Sequence, residues 1–264
     1  VTLVDSHCHL EYEGLVETQG SVIDRARRAG VATMLNISTK RSEWEQVAAT
    51  ASRFDGVWAS VGIHPHEADA HADLTEQELL AATRHPRVIG IGETGLDYYY
   101  EHSNRDTQQR LFRRHIGVSR DTGLPTIIHT RDAEEDTLAI LSQEVARGSF
   151  PALIHCFTAS ARFARAVLDM GLSISLSGIV TFKNAGELQA IAATIPKERL
   201  LVETDSPFLA PVPERGKTCE PAFVAHTATF LAGLRGESED ELKAYTTDNF
   251  FRLFSKARPK PATA

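Results

Sequence analysis

The chain has 264 residues, 42% of them hydrophobic, and a formal net charge of −7. That length suits one large α/β domain with ample core, and no apolar run approaches the roughly 20 residues of a membrane helix. The acidic balance excludes an overall field that gathers nucleic acid or anionic lipid, but leaves room for a local cationic site, above all one made by metal ions.

The first element is VTLVDSHCHL, a β-branched run that delivers Asp5, His7 and His9 in quick succession. On an evenly extended strand these three point one way, and Ser6 and Cys8 the other. The strand end therefore reads as a carboxylate and two imidazoles suited to a metal. Further strand-like runs occur at 31–38, 57–63, 87–93, 125–130, 152–157, 172–178 and 199–205. Helical segments lie between them, for example 22–30, 42–54, 107–123 and 160–171, with Gly30, Gly123 and Gly171 as stops. Near-continuous apolar strands alternating with helices mean parallel strands buried on both faces. Eight such units in this length predict a (β/α)8 TIM barrel, a parallel eight-stranded barrel within the α/β class. An open doubly wound sheet is the alternative, but no G-x-G-x-x-G turn follows the first strand. Residues 1–254 are expected to form this single domain, and the basic, Pro/Ala-rich residues 255–264 a disordered tail. The three cysteines, Cys8, Cys156 and Cys219, make no C-x-x-C pair. With no secretion-signal pattern at the start of the sequence, a cytoplasmic protein is expected.

In a barrel all C-terminal strand ends meet at one mouth. The first strand brings His7 and His9 there, the third His64 and His66, and the fourth Glu93 with Asp97 just beyond. The fifth and sixth bring His129 and His155, and the eighth Asp205. One site explains so many ionisable strand ends more simply than several local reasons. His71, His85, His102, His115 and His226 fall in loops or helices and are read as structural. Four imidazoles and two carboxylates exceed the needs of one tetrahedral ion and suit two divalent metal ions sharing a carboxylate. Strand adjacency groups His7 and His9 with Asp205, and His129 with His155, leaving Glu93 to bridge. Asp205 is placed both to ligate and to take the proton of an attacking water. Glu203 shares the face of Asp205, either as an outer support, an extra ligand or an interior carboxylate bonded to a neighbour.

DSHCHL, GIHPH, GETGLDYYY, IIHTRDA, IHCFTAS, SGIVTFKNA, LVETDSPFLAP and PERGKTCEP, in that order, resemble the TatD family of metal-dependent deoxyribonucleases. The resemblance runs from residue 3 to about 221, with the last helices fitting as well. It implies a metallo-hydrolase barrel with divalent metals (Mg, Mn or Zn) and hydrolysis of DNA phosphodiesters, commonly from 3′ ends. Carried over by position, the metal ligands are His7, His9, Glu93, His129, His155 and Asp205, with Glu93 and Asp205 catalytic and His64 and Arg215 near substrate. Ala159, Glu214 and Cys219 depart from the family pattern in substrate-facing loops and leave the ligand set whole.

Arg131, Lys183, Arg215 and Lys217 follow strands five, seven and eight, where Arg215 suits a bidentate phosphate contact. Tyr98–Tyr100, Phe157 and Phe182 either stack on an unpaired base or wall the site. The expected partner is single-stranded or frayed DNA with a free 3′ end. Three rivals stand beside this reading. A related hydrolase acting on an ester or amide, such as a D-aminoacyl-tRNA deacylase, uses the same water on carbonyl carbon. An amidohydrolase with a carbamylated lysine needs a Lys at the fourth strand end, where this chain has Glu93. A non-catalytic metal-binding scaffold is disfavoured by a complete ligand set with a candidate base.

Overall fold

The structure is a computed structural model, and it describes residues 2–257. The strands are β1 (Leu3–Cys8), β2 (Val31–Asn36), β3 (Val57–Val61), β4 (Val88–Asp97), β5 (Thr126–Arg131), β6 (Ala152–Ile154), β7 (Ser173–Leu176) and β8 (Leu200–Val202). They pair in sequence order, every registered pair parallel. Between and after them run α1 (Gln19–Arg28), α2 (Trp44–Arg53), α3 (Glu76–Ala82), α4 (Arg105–Thr122), α5 (Glu134–Arg147), α6 (Ala161–Asp169), α7 (Gly186–Ala192), α8 (Val224–Arg235) and α9 (Glu239–Leu253). This is the expected (β/α)8 barrel. β1 and β8 close it through a bridge between Cys8 and Ser206, with His9 N–H donating to Ser206 O at 2.8 Å and Asp205 N–H to His7 O at 2.9 Å.

Local chemistry sets the helix starts. Asn104, Ser160 and Ser238 each accept a first-turn N–H at α4, α6 and α9, and Thr75 with Glu78 forms a reciprocal capping box at α3. Strands six and eight are shorter than the apolar runs suggested, so His155 and Asp205 lie beyond their last paired residues. Strand four is longer and carries both Glu93 and Asp97.

Two apolar layers support the barrel. Leu3, Met34, Val57, Ile128 and Ile174 belong to the larger one, packed with helix residues such as Ile23, Phe112 and Leu231. Val4, Leu35, Ile89, Ile127, Leu153 and Leu201 form the smaller one, joined by Phe250 and Phe254 from the end of α9. Gly90 leaves room for that plug: a Cβ there would sit 3.1 Å from the Phe254 ring and 2.9 Å from Ile127. Of the tail, Ser255–Ala257 form a 3-10 turn with Ala257 buried in the same layer, and residues 258–264 lie outside the described residues. Among the described residues no helix is long and apolar enough to cross a membrane.

Removing the Phe254 ring should leave a cavity in a layer with little freedom to collapse. Phe254→Ala is expected to cost about 3–5 kcal/mol. Urea unfolding should show a lower midpoint with an unchanged slope; a loss under about 1 kcal/mol would mean the ring does not plug the barrel.

Candidate metal centre

Strict alternation does not explain how β1 presents its histidines. Val4 packs in the smaller layer and Leu3 in the larger, so an even strand would turn Ser6 inward and Asp5, His7 and His9 outward. The β1–β2 register instead shifts between Asp5 and Cys8, inserting one residue. That bulge allows Ser6 to reach Ser175 Oγ at 3.1 Å while His7 still faces the mouth. The Asp5 side chain stands apart from the imidazole donors, with the His7 backbone N–H donating to it at 3.3 Å. Its carboxylate accepts from the Thr204 N–H at 2.9 Å and the Thr204 hydroxyl at 2.6 Å, and it serves the β1–β8 seam.

The remaining donors fall into two groups around Glu93. In the first, His7 Nε2 lies 3.2 Å from His9 Nε2, 3.4 Å from Glu93 Oε2 and 3.5 Å from Asp205 Oδ1. His9 Nε2 lies 3.8 Å from Glu93 Oε2 and 3.4 Å from Asp205 Oδ1. Tetrahedral ligands bound at 2.0–2.1 Å are spaced about 3.3 Å apart, so these edges are close to those of a shell around one ion. In the second group Glu93 Oε1 faces His155 Nε2 at 2.7 Å, His129 Nδ1 at 3.2 Å and His64 Nε2 at 3.4 Å. Buried His155 Nε2 makes no proper hydrogen bond despite that closeness. Unpaired lone pairs converging at this spacing fit a divalent ion better than they fit one another. The two oxygens of Glu93 thus face different groups, as a bridging carboxylate requires.

His64 was expected on the substrate side. It lines the cavity, and its Nε2 also stands almost as near Glu93 as His129 Nδ1 does, where the 3-10 turn begun by Pro65 follows it and His66 N–H donates to His64 Nδ1 at 3.1 Å. Arg215 is not among the residues lining the cavity; its guanidinium rests 3.7 Å from the Phe182 ring centre, and Lys217 pairs with Glu214. Phe157 is buried, and Tyr98 donates its hydroxyl to Asp136, so neither is free to stack on a base.

Supporting residues fix the donor rings. Glu203, wholly buried, accepts from the Cys156 N–H at 2.7 Å and sits 3.2 Å from His155 Nδ1, which turns His155 Nε2 toward Glu93. Asp97 does the same for His129, with Oδ2 3.0 Å from His129 Nε2 and 2.8 Å from His66 Nε2. Glu93 is held by its N–H to Ser38 O at 3.1 Å, and β4 lies close against Gly62, where a Cβ would meet Gly92 Cα at 2.4 Å. His115 on α4 supports the His64 loop: its Nε2 accepts from Ile63 N–H at 3.1 Å while Nδ1 donates to Leu111 O at 2.7 Å. Sequence reasoning set His115 aside, and no local pattern signals a contact with a backbone N–H on another element. It also gave no role to Tyr12, which stacks on His9.

Burial disfavours charge throughout the cup, and specific neighbours overturn it for the carboxylates. Burial would raise Glu93, but the imidazoles of His155, His64 and His129 around it hold it well below the usual range. Asp205 is likewise lowered despite burial by His9 and His7. Burial pushes His64 well down, and Glu93 recovers only part of the shift. Burial also lowers His7, whereas the facing carboxylates, against burial, raise His9 and His129 and raise His155 most strongly, so an arriving metal must displace protons from those three rings. The cup opens into a cavity of about 630 Å³ whose lining includes Tyr12, Tyr100, Arg131, Thr158, Ile179 and Phe208.

The family model for TatD related DNase matches residues 4–255. The chain is 44% identical over 255 residues to the "Uncharacterized metal-dependent hydrolase YcfH" of Escherichia coli strain K12, covering 96% of this chain and 95% of that one. It is 35% identical over 239 residues to the "3'-5' ssDNA/RNA exonuclease TatD" of Klebsiella pneumoniae strain 342, covering 88% and 90% respectively. Among solved structures, the TatD homologue YJJV of Escherichia coli superposes with a TM-score of 0.89 at 26% identity, over 96% of this chain and 98% of that one.

His115 makes acid sensitivity predictable. Burial holds its imidazole down to about 4 in the fold, against about 6.5 when unfolded. Between those values the unfolded chain binds the extra proton, so stability falls as pH drops from 6.5 to 4 and this residue adds nothing further below 4. The loss attributable to it is about 3 kcal/mol. His115→Gln keeps an acceptor for Ile63 N–H but cannot titrate, so its unfolding free energy should lack that part of the acid slope. Parallel wild-type and variant curves over this range would refute the assignment.

Proposed function

The chain belongs to the TatD-related DNase family of metal-dependent hydrolases, and from that membership and the geometry of its cup we propose a 3′–5′ exonuclease acting on single-stranded or frayed DNA. The observation that carries the reading is Glu93, whose two oxygens face two separate clusters of nitrogen donors. Two divalent ions, when bound, supply Lewis acidity that lowers the pKa of a water and offsets charge on a scissile phosphate. His7, His9 and Asp205, with Glu93 Oε2 beside them, would hold one; His64, His129 and Glu93 would hold the other, with His155 within reach of Glu93 and of His7.

The chain's own residues supply the rest. Asp205 lines the cavity and engages the histidines through Oδ1, which leaves its second oxygen to accept the proton of an attacking water. Glu203 and Asp97 keep His155 and His129 in fixed orientations, so their ring nitrogens need not reorganise during reaction. Half-exposed Tyr100 and Phe208 line the cavity and suit the flat face of an unpaired base. The relative named as an ssDNA/RNA exonuclease supports nucleic acid as substrate. The unpaired thiols Cys8, Cys156 and Cys219 accord with a cytoplasmic setting.

Glu93→Gln keeps shape but loses the charge that counters two dications. It should reduce turnover at least about 1,000-fold, comparable to losing a principal electrostatic stabiliser, and elemental analysis should show metal content falling in parallel. The wild-type protein, stripped and reloaded with each metal, should degrade 3′-exposed single strands and spare closed circles. Rapid cutting of the circle, or turnover confined to a D-aminoacyl-tRNA, would replace the exonuclease reading with an internal nuclease or a deacylase.

A third arrangement tests the supports. Glu203→Gln should weaken metal binding by about 10–100-fold without unfolding the barrel. Competition against a metallochromic chelator measures this, and unchanged affinity would remove Glu203 from the support of His155.

A further inference from the structure

The cavity over the metal cup is lined by four carboxylates, Glu67, Glu93, Asp97 and Asp205, and by one arginine or lysine, Arg131. Arg131 is also unusually placed. Its guanidinium lies 4.1 Å from the Tyr99 ring centre and 4.8 Å from that of Tyr100. Among the described residues it makes no ion pair and no side-chain hydrogen bond. The carboxylate nearest in strand register is Asp97, paired with Arg131 across β4 and β5. Asp97 is already committed: Oδ2 faces His129 and His66, and Oδ1 accepts from the Tyr99 and Tyr100 N–H groups at 3.1 Å each. The same carboxylate that orients His129 thus fixes the backbone carrying the two rings on which Arg131 rests. The guanidinium is held by its faces, and its N–H edge stays free for an anion. Arg131 stands two residues beyond His129 on β5, so its backbone is on the order of 6–7 Å further up the wall, the scale of one nucleotide step.

We propose that Arg131 receives a second phosphate of the substrate, one nucleotide from the phosphodiester being cleaved, and that it is the cation by which the site distinguishes an oligonucleotide from an isolated phosphodiester. The proposal rests on the nuclease reading above. It assigns to Arg131 the role expected of Arg215, which lies over Phe182 away from the cavity lining. Tyr99 and Tyr100 act as positioning residues for the guanidinium.

Two measurements test it. With metal-loaded enzyme, kcat/KM for the trinucleotide d(TpTpT), which has two phosphates, should exceed that for d(TpT) by about 10–100-fold, the range of a charge-assisted contact. In Arg131→Gln that gain should fall to about 2-fold or less, and Arg131→Lys should recover part of it. With metal-loaded protein, binding of a cleavage-resistant, phosphorothioate-linked single-stranded (dT)8 by fluorescence anisotropy should depend on salt less steeply in Arg131→Gln, by about 0.7 in the slope of log K against log salt, the contribution of one phosphate. A length gain that survives in Arg131→Gln, or vanishes in Arg215→Gln instead, overturns the assignment, as does an unchanged salt slope. Failure of the wild type to cleave either oligonucleotide would overturn the nuclease reading, while the salt slope would still decide whether Arg131 holds a phosphate.

Discussion

The join between β1 and β8 closes the barrel and builds the cup with the same bonds. Asp205 N–H to His7 O and His9 N–H to Ser206 O are seam hydrogen bonds between the residues that carry the first donor group. Below them Asp5 receives Thr204 through backbone and hydroxyl, and Ser6 Oγ donates to Val202 O. A seam stitched by side chains as well as backbone can follow an irregular path, which the bulge on β1 and the positive φ of 59° at Asp205 both require. Closure of the sheet and convergence of donors from opposite ends of the chain are one structural event.

Carboxylates in this cup are divided by oxygen. Glu93 turns Oε2 toward His7 and His9, and Oε1 toward His64, His129 and His155. Asp97 gives one oxygen to imidazoles and the other to a turn of backbone. Each acid therefore ties two regions to one rigid group. Buried charge is costly unless every lone pair has a use, and this division supplies the uses. It also explains why neighbouring imidazoles can hold Glu93 ionised against the effect of burial.

Much of this was legible in the sequence because strand order and helix alternation follow from hydrophobic runs and their stops. The convergence of His7, His9, Glu93, His129, His155 and Asp205 followed from barrel topology, since His9, His155 and Asp205 sit just past their strands and His7, Glu93 and His129 in the C-terminal halves of theirs. What could not be read depends on partners remote in sequence. The facing of Asp5 was mistaken because a bulge is set by pairing with β2, and no feature of DSHCHL reveals it. The inward turn of His64 depends on the conformation after Pro65, and its support depends on His115, which bonds Ile63 from 52 residues away. Arg215 and Arg131 look alike as loop cations; only the fold shows which one lines the cavity.

Charge explains why such a site needs its metals. An acidic chain with a cup of carboxylates repels a phosphodiester, and one arginine at the rim does not reverse that field. Divalent ions bound there would invert the local sign where the donors converge, so under the proposed reading affinity for an anionic substrate would arise at the reacting centre and very little elsewhere. On the proposed exonuclease reading, such a site would have little grip along a duplex and would engage the few phosphates that fit its mouth. Under the proposed nuclease reading, polyanion binding and catalysis would be switched on by the same occupancy, and the acidic balance of the chain would keep it from holding nucleic acid that it cannot cut.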